Sequence, residues 1–293
     1  MRGRVISTGR ARRKPSAHLL TVIACAAAAI ACMAPAASAQ EATNTPAATQ
    51  PAVGALYLRQ KFRLYQFGDD PEVGRTGAEK FTSTTSLTWG LRRDLSLTLD
   101  LPVEYTQDER ATDRIHGTDF GDVGLSFKWR PVQHDLGPID SVRLAFFGGT
   151  TAPTGGSWTS ESWDPFIGTV FTAILGRHGI NQSFSWTFNT GDRTTGILPG
   201  DGPEDALRFD TAYLYRIDPV AYAADTTSAT YVTVEANGIW ERNGDVEVLL
   251  SAGLLYEARS YALELSVGVP VISDVDHRPE VDLRITAGFR ILF

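Results

Sequence analysis

The stretch that most limits what this chain can become is its last one, Val281 to Phe293. Its odd positions are Val281, Leu283, Ile285, Ala287, Phe289, Ile291 and Phe293, and its even positions are Asp282, Arg284, Thr286, Gly288, Arg290 and Leu292. A period of two is that of a β-strand, with one face apolar and the other mostly polar. Two arginines and an aspartate on one face need water or opposing charge, while the apolar face ends on an aromatic. A strand of an outer-membrane barrel meets both demands, with lipid outside, a polar lumen inside and the aromatic at the membrane boundary. Slipping the register by one would put Arg284 and Arg290 into hydrocarbon, at roughly 2–4 kcal/mol each near the midplane. The pattern therefore sets its own orientation.

At the other end, Arg2, Arg4, Arg10, Arg12, Arg13 and Lys14 precede the apolar run Leu19 to Met33 and then Ala37-Ser38-Ala39. That is the plan of a secretory signal peptide over residues 1–39, cut before Gln40. Both cysteines, Cys25 and Cys32, fall inside it. The rest of the chain is left without disulfide or thiol chemistry. The net charge of −7 becomes more negative once those basic residues are removed, so no nucleic-acid partner is expected. No later segment has the eighteen or so unbroken apolar residues of a transmembrane helix, a test to which a barrel is invisible.

Residues 40–54 are rich in Ala, Thr, Gln and Pro without periodicity, which predicts a flexible lead-in. Alternation then recurs along 55–293, most cleanly where Leu95, Leu97, Leu99, Leu101, Val103 and Tyr105 interleave with Ser96, Thr98, Asp100, Pro102 and Glu104. Only Arg92-Arg93 separates that strand from the one before, so the two form an antiparallel hairpin. Two faces stay ambiguous, because Ala145, Phe146 and Phe147 run together and both faces of 166–175 are apolar. The expected fold is all-β, a transmembrane antiparallel up-and-down barrel of about 12 strands, single-domain over 55–293, in the outer membrane of a Gram-negative bacterium. Connections after odd-numbered strands are mostly long and acidic and those after even-numbered strands mostly short, the asymmetry of such barrels. Outward aromatics fit two girdles, with Trp89, Trp129, Tyr215, Tyr256 and Phe293 at one rim and Tyr105 and Trp240 at the other, whereas Trp186 reads as mid-strand. A soluble double sheet would alternate too, but would leave open edges.

Chemistry is sparser. A barrel phospholipase needs a serine two residues from a histidine on an outward face. His116, His134, His178 and His277 all lack that neighbour and fall in expected loops or turns, so the expectation is that the chain is not an enzyme. No cofactor or metal spacing is present, and the loop acids Asp69, Asp70, Glu72, Asp201, Glu204 and Asp205 lack the ligand order of a calcium loop. The lumen is more informative. The alternation sends Arg59, Lys61, Arg63, Lys128, Arg130, Arg143, Arg208, Arg216, Arg284 and Arg290 inward, with Asp100, Glu104, Asp122, Asp210, Glu235, Glu247, Glu264 and Asp282. Twelve strands imply a narrow lumen in which these charges pair. Either they satisfy one another in a plugged scaffold, or they line a selective conduit.

The run Asp119-Phe120-Gly121-Asp122-Val123-Gly124-Leu125-Ser126-Phe127-Lys128-Trp129-Arg130, followed by Leu144 through Pro153-Thr154-Gly155, resembles the paired GDxxLxxKYR and PTG pattern of the outer-membrane barrels named for the MetA, or meta-cleavage, pathway of phenol degradation. Trp129 stands where that pattern has a tyrosine. The resemblance covers roughly 55–293 and implies a transporter-like channel for small aromatic or hydrophobic molecules. It also implies that Phe293 is read by the barrel-assembly machinery, which with membrane lipid and a small-molecule solute completes the expected partners. Trp158 and Trp163, in the loop after the fifth strand, are candidate entrance residues, as a stacking surface or as headgroup anchors. The alternative to transport is a structural or adhesive barrel.

Overall fold

The computed structural model describes residues 40–68, 75–110, 114–156, 159–192, 197–223 and 225–293. Strands β1 (Leu56–Phe67), β2 (Arg75–Arg92) and β3 (Leu95–Arg110) open the sheet, and β4 (Arg114–Phe120), β5 (Val123–Asp135), β6 (Ser141–Ala152) and β7 (Asp164–Leu175) follow. The remainder are β8 (His178–Thr187), β9 (Ala206–Asp218), β10 (Ser228–Glu241), β11 (Val246–Ala258), β12 (Tyr261–Asp274) and β13 (Val281–Leu292). All pairings are antiparallel, and β1 joins both β2 and β13, which closes the ring. The backbone amides of Leu56 and Phe293 each donate to the other's carbonyl at the seam.

The thirteen strands make a twelve-strand barrel because β4 and β5 share one partner. The outer half of β3 pairs with β4 (Val103↔Phe120) and its inner half with β5 (Asp100↔Gly124). The Asp119–Arg130 run is thus divided between two strands by a break at Gly121-Asp122. His116 and His134 accordingly lie in strands and His178 begins one, not in loops or turns.

Outward faces carry Leu263, Leu265, Val267 and Val269 on β12, and Ile180 and Phe184 on β8, all exposed. Inward faces carry buried polar groups such as Thr82, Asn181, Glu235 and Ser266. A soluble fold would not leave such a belt in water, and a closed ring has no unpaired edge to hide from lipid. The protein is an outer-membrane barrel, with mostly short turns at one end, the periplasmic end by the usual polarity of such barrels, and mostly longer loops at the other. The ambiguous strands are decided by their neighbours: Ala145 and Val170 are buried inward beside Phe147, and Phe146 faces out against Trp129. Trp186 is not mid-strand in effect, since it sits at the outer rim with its ring 6.0 Å from that of Trp240.

Asp282 departs from its expected inward position. β1 and β13 slip register between Gln66 and Phe67, which pair with Leu283 and Val281. This bulge reverses the facing beyond it. Val281 is buried among Phe67, Ala78, Ile197 and Leu249, and Asp282 is exposed at the outer end.

Outside the membrane, Asp245 latches two loops. Its carboxylate accepts the amides of Asp276 (3.0 Å) and His277 (3.2 Å) and contacts His277 Nδ1 at 2.9 Å. Burial raises its pKa, but these hydrogen bonds outweigh burial and hold the carboxyl below its ordinary value. A depressed carboxylate contributes stability above its unfolded-state pKa and loses it as pH falls through the folded one. The 275–280 loop should therefore stay protected down to the ordinary aspartate pKa of about 3.9 and become protease-sensitive only below it, and Asp245→Asn should make it so already at pH 7. Equal cleavage of wild type and Asp245→Asn at pH 7 would count against the latch.

Candidate functional site

The lumen is occupied by residues 40–54, which are ordered rather than a flexible lead-in. Glu41, the one charged side chain in this segment, meets Arg59 Nη1 at 3.1 Å and Arg290 Nη1 at 3.6 Å. Arg59 also donates to both oxygens of Glu264 (2.9 and 2.8 Å) and to the carbonyls of Ala42 and Thr43. Arg290 donates to the Glu41 carbonyl at 2.9 Å and lies 3.4 Å from Glu264 and 3.9 Å from Glu257. Buried charges survive only when paired and hydrogen-bonded, and here each cation faces at least two acceptors.

Glu235 holds the tip of the segment. Its carboxylate accepts the Asn44 amide (2.9 Å), the Thr45 amide (2.7 Å) and the Thr45 hydroxyl (2.9 Å). Asn44 also reaches Ser266 and Thr286, and Asn237 donates to Thr45. On the return leg the Ala48 amide donates to Thr172 Oγ1 at 2.8 Å, and Lys128 Nζ donates to the Ala47 carbonyl at 2.8 Å. Gln50 donates to the carbonyls of Lys128 and Asp94, and Arg130 to that of Ala48. A Cβ on Gly90 would lie 2.1 Å from the Ala52 carbonyl oxygen, so only glycine lets the base of this strap cross β2.

Of the other inward charges, Arg284 donates to Ser251 Oγ (3.0 Å) and to Asn237 Oδ1. Asp210 accepts from Asn237 (2.9 Å) and Ser183 (3.2 Å). Arg216 donates to the Pro219 carbonyl and lies over the Tyr222 ring at 4.0 Å. Glu247 accepts from Arg278 (3.2 Å) and the Val281 amide (2.7 Å). Arg63 and Arg143 are half-buried on inward positions.

A second insertion enters from outside, formed by the described part of the β8–β9 loop. Ile197 is buried in the mouth, the Gly200 amide donates to Glu241 at 2.7 Å, and Arg208 donates to the Pro199 carbonyl. Beneath it lies a cavity of about 230 Å³ lined by Glu104, Asp122, Asp164, Asp201 and Arg208. Glu104 pairs with the buried Lys80 at 2.7 Å. Asp122 accepts the amides of Thr154 and Gly155 and the Ser160 hydroxyl, which fastens the β6–β7 loop over the mouth. Burial pushes the Asp201 carboxyl up to about 6, against the attraction of Lys80. The mouth therefore loses a negative charge as pH drops through that value.

A larger cavity of about 470 Å³ opens toward the periplasm between the strap and the β1–β5 wall, with Tyr57, Lys61, Asp100, Phe147 and Phe166 in its lining. Phe166 also lines the outer cavity. Its ring lies 6.4 Å from that of Phe147. A Cβ on Gly168 would lie 2.4 Å from Phe147 Cζ, so this glycine makes room for the ring in the lumen. Trp163 is exposed at the outer end, and Trp158 lies outside the described residues. The sequence reading missed Glu41, Phe147 and Phe166. A single carboxylate just before a strand with three inward cations was the available signal for Glu41; the phenylalanines had none, since both faces of their strands are apolar.

No known protein family and no curated protein matches this chain by sequence. Solved structures are similar in shape. The β domain of the Bordetella autotransporter BrkA is 11% identical, covering 82% of this chain and 100% of that one with a TM-score of 0.48. Outer membrane phospholipase A from Escherichia coli is 11% identical over 83% and 94% (TM-score 0.41), and the CymD monoaromatic hydrocarbon channel 8% identical over 83% and 89% (TM-score 0.41). A phospholipase among these barrels corrects one expectation: the spacing of the histidines does not exclude an enzyme.

Proposed function

We propose that this barrel is a channel for small aromatic or hydrophobic molecules. The observation that carries the reading is a pair of cavities whose linings share Phe166, one beneath the outer loops and the other toward the periplasmic end. A strap and a loop that merely filled the barrel would leave no such space. At the neck between the two cavities the wall is aromatic, through Phe147 and Phe166. Apolar rings there favour entry of a poorly hydrated solute over a sugar, whose hydroxyls would lose water without gaining partners. Trp163 at the outer end is the residue a solute would meet first.

Purified, folded protein in liposomes should admit toluene and benzyl alcohol faster than empty liposomes do, with little gain for glucose. Phe166→Ala should raise the flux of bulkier solutes. A folded protein that passes none of these solutes would overturn the channel and leave a structural or adhesive barrel as the better reading.

A further inference from the structure

The inner cavity carries a lysine that no hydrogen bond or salt bridge from the described residues reaches. This residue is Lys61, half-buried in the lining. The other cations of that lining are engaged. Arg59 and Arg290 are held by Glu41 and Glu264, Lys128 caps the strap carbonyls, and Arg259 donates to the Thr226 carbonyl.

Lys61 lines the same inner cavity as Phe147 and Phe166, and Phe166 also lines the outer cavity. β7 is five steps round the twelve-strand ring from β1, so Phe166 faces the lumen from the nearly opposite wall. A cation on one wall and an aromatic pair on the other is an arrangement that takes a flat apolar body with one anionic end. An ammonium group in a confined lumen makes short charge-assisted hydrogen bonds to a carboxylate, and the phenyl rings offer stacking or edge contacts to the body.

We propose that the neck is a binding site for small aromatic carboxylates, with Lys61 holding the carboxylate and Phe147 and Phe166 the ring. This rests on the channel reading and names its substrate class. Lys61 is then a selectivity residue, which raises the residence of aromatic acids in the neck above that of neutral aromatics of the same size.

The test is binding of benzoate and of benzyl alcohol to detergent-refolded protein by calorimetry, alongside flux of both in liposomes. Wild type should bind benzoate at least about tenfold more tightly than benzyl alcohol, the gain expected of one charge-assisted contact. Lys61→Met should abolish that preference without changing benzyl alcohol, Lys61→Arg should keep most of it, and Phe166→Ala should weaken both ligands. Equal affinity of wild type for the two, no benzoate binding, or an unchanged preference in Lys61→Met would overturn the proposal. Flux of both solutes without any carboxylate preference would defeat the Lys61 site while leaving the channel standing. Absence of all flux with benzoate binding intact would do the reverse.

Discussion

Excising residues 41–52, so that Gln40 joins Val53, should turn the narrow path into an open pore. Single-channel conductance in planar bilayers should rise several-fold, and disaccharides excluded by the intact protein should enter liposomes. The barrel itself should survive, because its closure is a backbone ladder between β1 and β13 that begins beyond the excision. Arg59 and Arg290 lose Glu41 but keep Glu264, and Arg290 keeps Glu257 as well, so neither arginine is left alone, while Lys128 exchanges its strap carbonyls for the water that replaces the strap. A milder variant separates the anchors. Glu235→Ala removes the acceptor of the Asn44 and Thr45 amides and of the Thr45 hydroxyl, and an unsatisfied buried donor costs about 1–3 kcal/mol. The tip should detach while Glu41 still holds the base, giving flickering conductance between the intact and excised levels. Unchanged conductance after excision would mean that the strap does not limit the lumen.

The second large effect is on the outside. Val267 is 45% exposed near the middle of β12 on the face that meets lipid. Val267→Arg should cost about 2–4 kcal/mol in urea unfolding from lipid vesicles, whereas Tyr261→Arg at the periplasmic rim should cost about 0–1 kcal/mol. This depth dependence belongs to a membrane belt. Equal costs at the two positions would fit a soluble β-protein instead.

The alternation of Val281 to Phe293, and its recurrence along most of the strands upstream, determined the fold class and the approximate number of strands in the ring. The physical reason is that a barrel strand is read by two solvents, and period-two patterning is a local property that no distant contact has to supply. That information stops at the ends of strands. Asp282 alternates correctly in sequence yet points out, because a bulge opposite Phe67 shifts the register, and nothing local marks a bulge. The break at Gly121-Asp122 is of the same kind.

What fills the lumen was decided only by tertiary structure. Residues 40–54 have the composition of a disordered leader, and by themselves they bury too little apolar surface to order. They order because the barrel presents them with groups already in place. Arg59 and Arg290 need a carboxylate and find Glu41, and Glu235 needs donors and finds Asn44 and Thr45. The lumenal charges could be listed from alternation, but not their partners, since ion pairs such as Arg59 with Glu264 join residues two hundred positions apart across the seam. For the same reason the neck was out of reach. Phe147 and Phe166 lie on strands apolar on both faces, and only the closed ring shows which of those side chains turn inward and that they share a cavity with Lys61, which no hydrogen bond from the described residues reaches.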